Sequence, residues 1–326
     1  MNTIFCFQIN NNTSRYIHKF LHKKKKSQPQ SIIVLLRNTI QQLQPMCTYS
    51  THKNRVTAVN NFEKFVLQTS SAHSPITINN VTADTIKAYE QWAFDQGYNN
   101  GYVALNMRCL RALFNHINGH GTQLFTLVRT SNCQTKKRAV SEETIKLTRE
   151  LKLTEGSNLN LARNVFLFCF YGMGIPLIDA VMLRKSQLSN NEITYRRHKT
   201  GRMVTIPVSK ELKQLLNRLT PKHSPYLLPV LTTENRADAK RQYRRFYQRY
   251  MRALAKLELL LGVDCHLTSY TPRHSWASIA YKNGININII AQALGHSNTN
   301  TTYSYIQEIN NFMLESANNI VTKAVM

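Results

Sequence analysis

Between Ser31 and Asn118 the chain repeats one pattern four times: apolar residues recur three and four positions apart. SIIVLLRNTIQQL, RVTAVNNFEKFVLQT, TADTIKAYEQWAFDQG and YVALNMRCLRALFNHI each carry an apolar stripe on the helical period. In the last, Val103, Met107, Leu110 and Phe114 share a face. Asn99 or Asn100 is placed to cap its start, and Asn118–Gly119 to end it. Helices this short bury their stripes against one another, so a small bundle is expected over residues 31–118.

The period breaks after Gly119. Residues 119–140 are polar, carry KKR at 136–138 and read as a linker. From Gln96 to Ser141 there is no acidic residue, whereas Arg108, Arg111, Arg129, Lys136, Lys137 and Arg138 are all basic. One sign of charge along a helix face and a linker suits a phosphate backbone. Residues 1–30 end in HKKKKSQPQ, contain no acid, and read as a flexible basic arm. Across 326 residues, 42 Lys and Arg face 17 Asp and Glu, a net charge of +25. Such a surface binds polyanions, nucleic acid first among them; charge kept only for solubility rarely needs this excess.

From about residue 141 a second domain follows, with a helix capped by Ser141 and another over 159–171. In EITYRRHKTGRMVTIPV the period changes to two on either side of Thr200–Gly201, the signature of a hairpin. Helices return in VSKELKQLLNRL and over about 235–261, where Arg236, Lys240, Arg241, Arg244, Arg245, Arg249, Arg252 and Lys256 crowd one element. Tyr243, Phe246, Tyr247 and Tyr250 interleave with them. A basic solvated face and direct contact with a polyanion, with Arg244 and Arg245 as candidates, are both open from this pattern. The six cysteines are scattered without a Cys-x-x-Cys pair, which argues against zinc and disulfides and for a reducing cytosol. No run reaches membrane-spanning length and the apolar start is too short for a secretory signal. A soluble, cytoplasmic protein without a membrane partner is expected.

TPRHSWASIAYKNG, residues 271–284, is punctuated as a helix, with Thr271 as N-cap, Pro272 in the first turn and Gly284 as the stop. Arg273 in that first turn is poorly placed for a structural ion pair but well placed to join free N–H groups around a phosphate. Trp276, Ile279 and Ala280 are expected to face the core, as are Ile287, Ile290, Ala291 and Leu294 of the next helix, which Gly295 ends. His296 and the pair Tyr303 and Tyr305 follow. At helical spacing those tyrosines point about 200° apart, so at most one faces a site.

The segments YTPRHSWA, LGHS and TTYSY, joined by RRHKTG and GIPLIDAVML, resemble in order and spacing the tyrosine recombinase (phage-integrase) family. The resemblance covers the whole second domain, and the preceding bundle looks like the family's SAM-like core-binding domain. It implies a mainly α fold with a small β-hairpin or sheet in the catalytic domain, the DNA breaking-rejoining fold. It also implies site-specific strand exchange on double-stranded DNA by a homo-tetramer on paired sites, without metal, cofactor or small-molecule substrate. A tyrosine attacks the scissile phosphate, leaving a 3′-phosphotyrosyl link and a 5′-hydroxyl that reverses the step on a partner strand. Tyr305, nine positions after His296, matches the nucleophile. Arg273 matches the second family arginine, His296 the phosphate hydrogen-bond donor and Lys199 the general acid on the leaving oxygen.

Two positions depart from the family. Pro176 stands where the first arginine belongs, with Asp179 at the acidic position, and proline offers phosphate nothing. Alternation along a strand would turn Arg197 to the same side as Lys199, making Arg197 the candidate replacement and Arg184 the runner-up. Tyr270 replaces the histidine three before Arg273; a phenol can hydrogen-bond but is a poor base near neutral pH, so Tyr305 would depend on nearby cations to lower its pKa. Two alternatives stand beside an active recombinase. One is a DNA-binding protein on the same fold with catalysis impaired at Pro176. The other is a helix-turn-helix regulator over 272–295, which leaves Lys199, His296 and Tyr305 unexplained. The target sequence, and the choice among integration, excision and inversion, are written in no motif.

Overall fold

In the computed structural model the described residues are 30–69, 76–131, 138–263, 266–296, 298–305, 318, 319 and 321–323. The chain divides into two compact units, Met1–Thr135 and Lys136–Met326. The expected basic arm lies outside the described residues except for its last position.

The first unit is built from α1 (Ile32–Leu43), α2 (Tyr49–Thr69), α3 (Ala83–Asp95), α4 (Asn100–Asn118) and the single turn α5 (Gly121–Leu124). Each of the four expected stripes is buried: Leu36 and Ile40, Phe62 and Phe65, Ile86 and Tyr89, Met107 and Phe114 meet in one core. Phe62 is its aromatic centre, edge-on to Tyr89 at 5.2 Å and to Phe114 at 6.3 Å. The Asn99 side chain caps α4, and Gly119 leaves it at φ 74°. The stretch expected as an open linker is not open along its first half. Phe125 and Val128 join this core, because buried Glu90 accepts the Arg129 N–H at 3.1 Å and fixes the chain there.

The second unit is also mostly helical: α6 (Glu142–Glu150), α7 (Asn158–Tyr171), α8 (Leu177–Met182), α9 (Lys210–Leu219), α10 (Arg236–Leu261), α11 (Thr271–Lys282), α12 (Ile287–Leu294) and α13 (Thr299–Tyr303). Its strands β1 (Leu188–Ser189), β2 (Glu192–Arg196) and β3 (Met203–Pro207) form an antiparallel sheet in that order. The hairpin is as expected; β1 is too short to leave a period in the sequence. Register pairs Ile193 with Ile206 and Tyr195 with Val204, all four turned into the core. Helix α7 is buried along most of its length, Asn160, Arg163 and Asn164 included, and α10 lays Phe246, Tyr250, Leu254 and Leu257 into the same core. Two of the four aromatics interleaved with arginines are thus structural. Among the described residues no helix is long and apolar enough to cross a membrane.

Candidate active site

Tyr270, not Thr271, is the N-cap residue of α11. The Thr271 hydroxyl instead accepts the Thr268 N–H at 2.9 Å, closing the turn before the helix. Arg273 is 2% exposed, and its guanidinium donates to the Gly174 carbonyl at 2.8 Å and the Leu294 carbonyl at 2.6 Å. It also meets His296 Nε2 at 2.9 Å. The buried side of α11 therefore runs through Arg273, Ser275 and Ala277, while Trp276, Ile279 and Ala280 are only partly buried.

Two left-handed glycines make this contact possible. Gly174, at φ 69°, follows Met173 at φ 55° in the turn before α8. A Cβ on Gly174 would lie 3.0 Å from Arg273 Cα. Gly295 ends α12 at φ 64°, and a Cβ there would lie 2.7 Å from Arg197 Cδ and 2.8 Å from Val204 Cγ2. Both close approaches need a residue without a side chain.

Alternation along β2 carries Ile193, Tyr195 and then Arg197 inward. Arg197 is 5% exposed and donates to the Leu294 carbonyl at 2.9 Å and the Gly295 carbonyl at 3.3 Å. Its Nε lies 3.6 Å from Asp179 Oδ2. Asp179 Oδ1 accepts the His198 N–H at 2.9 Å, which pins the hairpin turn to α8. Burial raises the Asp179 carboxyl above its usual value, against the lowering effects of the His198 bond and Arg197. The strand ends before Lys199, which is exposed in the turn. Arg184, the runner-up cation, pairs with Glu234 at 2.7 Å and lies over the Tyr226 ring. The structure thus brings Arg197 to Arg273 and engages Arg184 elsewhere. The C-terminal carbonyls of α12, the negative end of its dipole, hold two guanidiniums side by side. Burial first, and then Arg197, push the Arg273 pKa below its ordinary value. Arginine still keeps its proton. The Nε atoms of both arginines find no hydrogen-bond acceptor among the described residues.

His296 is buried, with Nδ1 at 2.9 Å from Thr302 Oγ1. Its pKa is pushed down to about 3, by burial first and then by Arg273, Arg197 and Lys199. The imidazole is therefore neutral at pH 7. Arginine only donates, so Nε2 accepts and Nδ1 carries the hydrogen. In this arrangement His296 Nε2 faces Arg273 and accepts from it, so the ring orients that guanidinium.

Tyr305 is half-buried, stacked on His274 with centroids 4.4 Å apart and 5.1 Å from His296. Arg273 Cζ lies 5.5 Å from its ring centroid. Tyr303 is 50% exposed, so the two tyrosines do face differently. Tyr270 sits beside His274, with ring centroids 6.4 Å apart. Its phenol pKa is raised by loss of solvent first and then by Tyr305, which leaves still less of the basic phenolate near neutral pH. Among the described residues no cluster of His, Cys, Asp or Glu could hold a metal ion.

The basic candidates separate. Arg108 and Arg111 bind the Thr130 carbonyl and hydroxyl at 3.1 and 2.8 Å, so they clip α4 to its own unit. Arg138, Arg244 and Arg245 are exposed, and Lys136 and Lys137 lie outside the described residues. Sequence reasoning missed Gly174, Thr302 and His274. Thr302 carried a weak signal as a small polar residue three before Tyr305, and His274 none beyond its place after Arg273.

The family described as "Phage integrase family" matches residues 141–311. Tyrosine recombinase XerC of Rickettsia africae is 24% identical over 292 residues, covering 85% of this chain and 89% of the relative. The Tn1549 transposon integrase, solved with transposon right end DNA, superposes with TM-score 0.65 at 14% identity, over 90% of this chain and all of the other. A lambda integrase tetramer bound to a Holliday junction gives TM-score 0.63 at 15% identity, over 90% of this chain and 85% of that one. At these identities the two structures speak for the fold.

Proposed function

Because the chain belongs to the phage integrase family, a family of tyrosine recombinases, we propose that it cuts and rejoins specific DNA sites with Tyr305 as nucleophile. The observation that carries this reading is the placement of Tyr305 against Arg273, with Arg197 beside it. In the proposed step the Tyr305 phenol loses its proton to water and its oxygen attacks the scissile phosphorus. A phosphotyrosyl bond forms at the 3′ side as the bond to the 5′-oxygen breaks, and Lys199 protonates that oxygen. Arg273 and Arg197 neutralise the non-bridging oxygens, whose charge grows in the transition state. The 5′-hydroxyl of a partner strand then reverses the step, so the bond energy is conserved. Double-stranded DNA as substrate and a homo-tetramer on paired sites draw support from the DNA and Holliday-junction complexes of the two integrases.

Pro176 favours a second reading, a DNA-binding protein with catalysis impaired. One experiment separates them. A bound site is selected from random DNA and nicked so that the short 5′-hydroxyl strand diffuses away after cleavage. A covalent adduct on a denaturing gel, absent in Tyr305→Phe and retained in Tyr303→Phe, supports the recombinase. Specific binding with no adduct from the unaltered protein supports the second reading.

A further inference from the structure

Thr302 is fully buried, yet two of its polar atoms are directed at the site. Its Oγ1 lies 2.9 Å from His296 Nδ1. Its carbonyl accepts the Tyr305 N–H at 2.9 Å. One residue therefore touches both the nucleophile's backbone and the histidine that orients Arg273. We propose that Thr302 is a positioning residue: it fixes the tautomer of His296 and so ties the Tyr305 segment to the Arg273 cradle. The inference rests on the recombinase reading for its consequence in catalysis, but not for its geometry.

Donors and acceptors around the ring require this role. Arg273 Nη2, 2.9 Å from Nε2, has only hydrogens to offer. The neutral ring must then hold its hydrogen on Nδ1, and a buried N–H needs an acceptor, which the Thr302 hydroxyl supplies. Without that hydroxyl the ring has two poor choices. It can keep an unsatisfied Nδ1–H, or move the hydrogen to Nε2 and face Arg273 donor to donor. Either choice loosens the guanidinium that lies over Tyr305. The nucleophile is braced from the same side, since the Tyr305 carbonyl accepts the Ser278 hydroxyl of α11 at 3.1 Å. A shift of Thr302 thus moves the phenol and the anion cradle together.

Valine matches the shape of threonine without its hydroxyl, and serine keeps the hydroxyl without the methyl. Full-length protein labelled with 15N-histidine reports the tautomer directly, with the His296 signals assigned by their loss in His296→Gln. The expected spectrum has hydrogen on Nδ1 in the unaltered protein and in Thr302→Ser, and on Nε2 or exchanging in Thr302→Val. Single-turnover adduct formation on the nicked site should slow about 10- to 100-fold in Thr302→Val, with DNA affinity unchanged. Thr302→Ser should stay near the original rate. A Thr302→Val protein that keeps the Nδ1 hydrogen overturns the proposal, as does one that changes tautomer at full rate. Equal losses in Thr302→Ser and Thr302→Val also overturn it, because packing would then explain them. If the unaltered protein forms no adduct, the recombinase reading fails, and the spectra alone decide whether Thr302 sets the tautomer.

Discussion

Arg197 and Arg273 donate to the same oxygen, the Leu294 carbonyl, at 2.9 and 2.6 Å. That shared acceptor puts a second guanidinium in a site whose expected first arginine is Pro176. One Arg197 nitrogen, Nη1, donates to both the Leu294 and Gly295 carbonyls, while a second, Nε, lies 3.6 Å from Asp179 Oδ2. Lysine keeps the charge but cannot span these partners. Arg197→Lys should therefore slow adduct formation by about 10-fold or more while leaving DNA affinity intact. Arg184→Ala, which removes an ion pair with Glu234, should leave the rate unchanged. A rate loss in Arg184→Ala equal to that of Arg197→Lys would sink this assignment.

Gly295→Ala tests the close approach that seats Arg197. Backbone strain at positive φ alone costs about 1–2 kcal/mol, and the new methyl would also meet Arg197 and Val204. Gly284→Ala carries the strain without the collision, since nothing lies within 4 Å of its would-be Cβ. Urea unfolding should rank Gly295→Ala as the less stable, and only that variant should lose adduct formation. Equal stability and equal activity would show that the approach is unimportant.

Acid should weaken the fold through His296. An ordinary imidazole titrates near 6.5 and this one near 3, so between those values the unfolded chain takes up a proton that the native state refuses. The stability it contributes is present above pH 6.5 and is lost as pH falls toward 3, by up to about 1.4 kcal/mol per pH unit. The raised Asp179 carboxyl works in the opposite sense, binding its proton first in the folded state. Comparing unfolding midpoints with His296→Gln cancels Asp179 and isolates the histidine. The variant should show the flatter pH dependence, and identical slopes would contradict a neutral buried imidazole.

The arginines divide into those that hold the fold and those open to solvent. Arg111→Ala breaks the bond to Thr130 and should lower the stability of the first unit by about 1 kcal/mol without changing how DNA affinity falls with salt. Replacing exposed Arg244 and Arg245 by alanine should do the reverse. It should flatten the slope of log affinity against log salt by about 0.9 for each phosphate no longer neutralised. Exchanged outcomes would mean that α4 and not α10 lies on the phosphates.

The helices of both units and the hairpin were legible in the sequence because periodicity is local. Arg197 and Lys199, however, do not share a side as alternation suggested, because the strand ends at Arg196 and the turn leaves Lys199 exposed while Arg197 is buried. The partners of Arg108 and Arg111 were not legible, because Thr130 lies 22 and 19 residues away and no pattern links them. Burial of Phe125 and Val128 was hidden in the same way, by a polar stretch that one carboxylate anchors. The state of His296 depends on burial and then on cations from α11 and the hairpin gathered around one ring, which the family motif that suggested a phosphate donor does not encode. Adjacency along the chain identifies a site; donor and acceptor counts across it assign the roles.

On the recombinase reading, Arg197 supplies the charge Pro176 cannot, to a phosphate attacked by Tyr305. Replacing one non-bridging oxygen of the scissile phosphate by methyl removes that negative charge without moving the scissile bond. Arg197→Ala should form adduct about 100- to 1,000-fold more slowly than the unaltered protein on phosphate. On the methylphosphonate it should match the unaltered protein, while Tyr305→Phe stays inert on both. A defect in Arg197→Ala of the same size on both substrates would contradict the account.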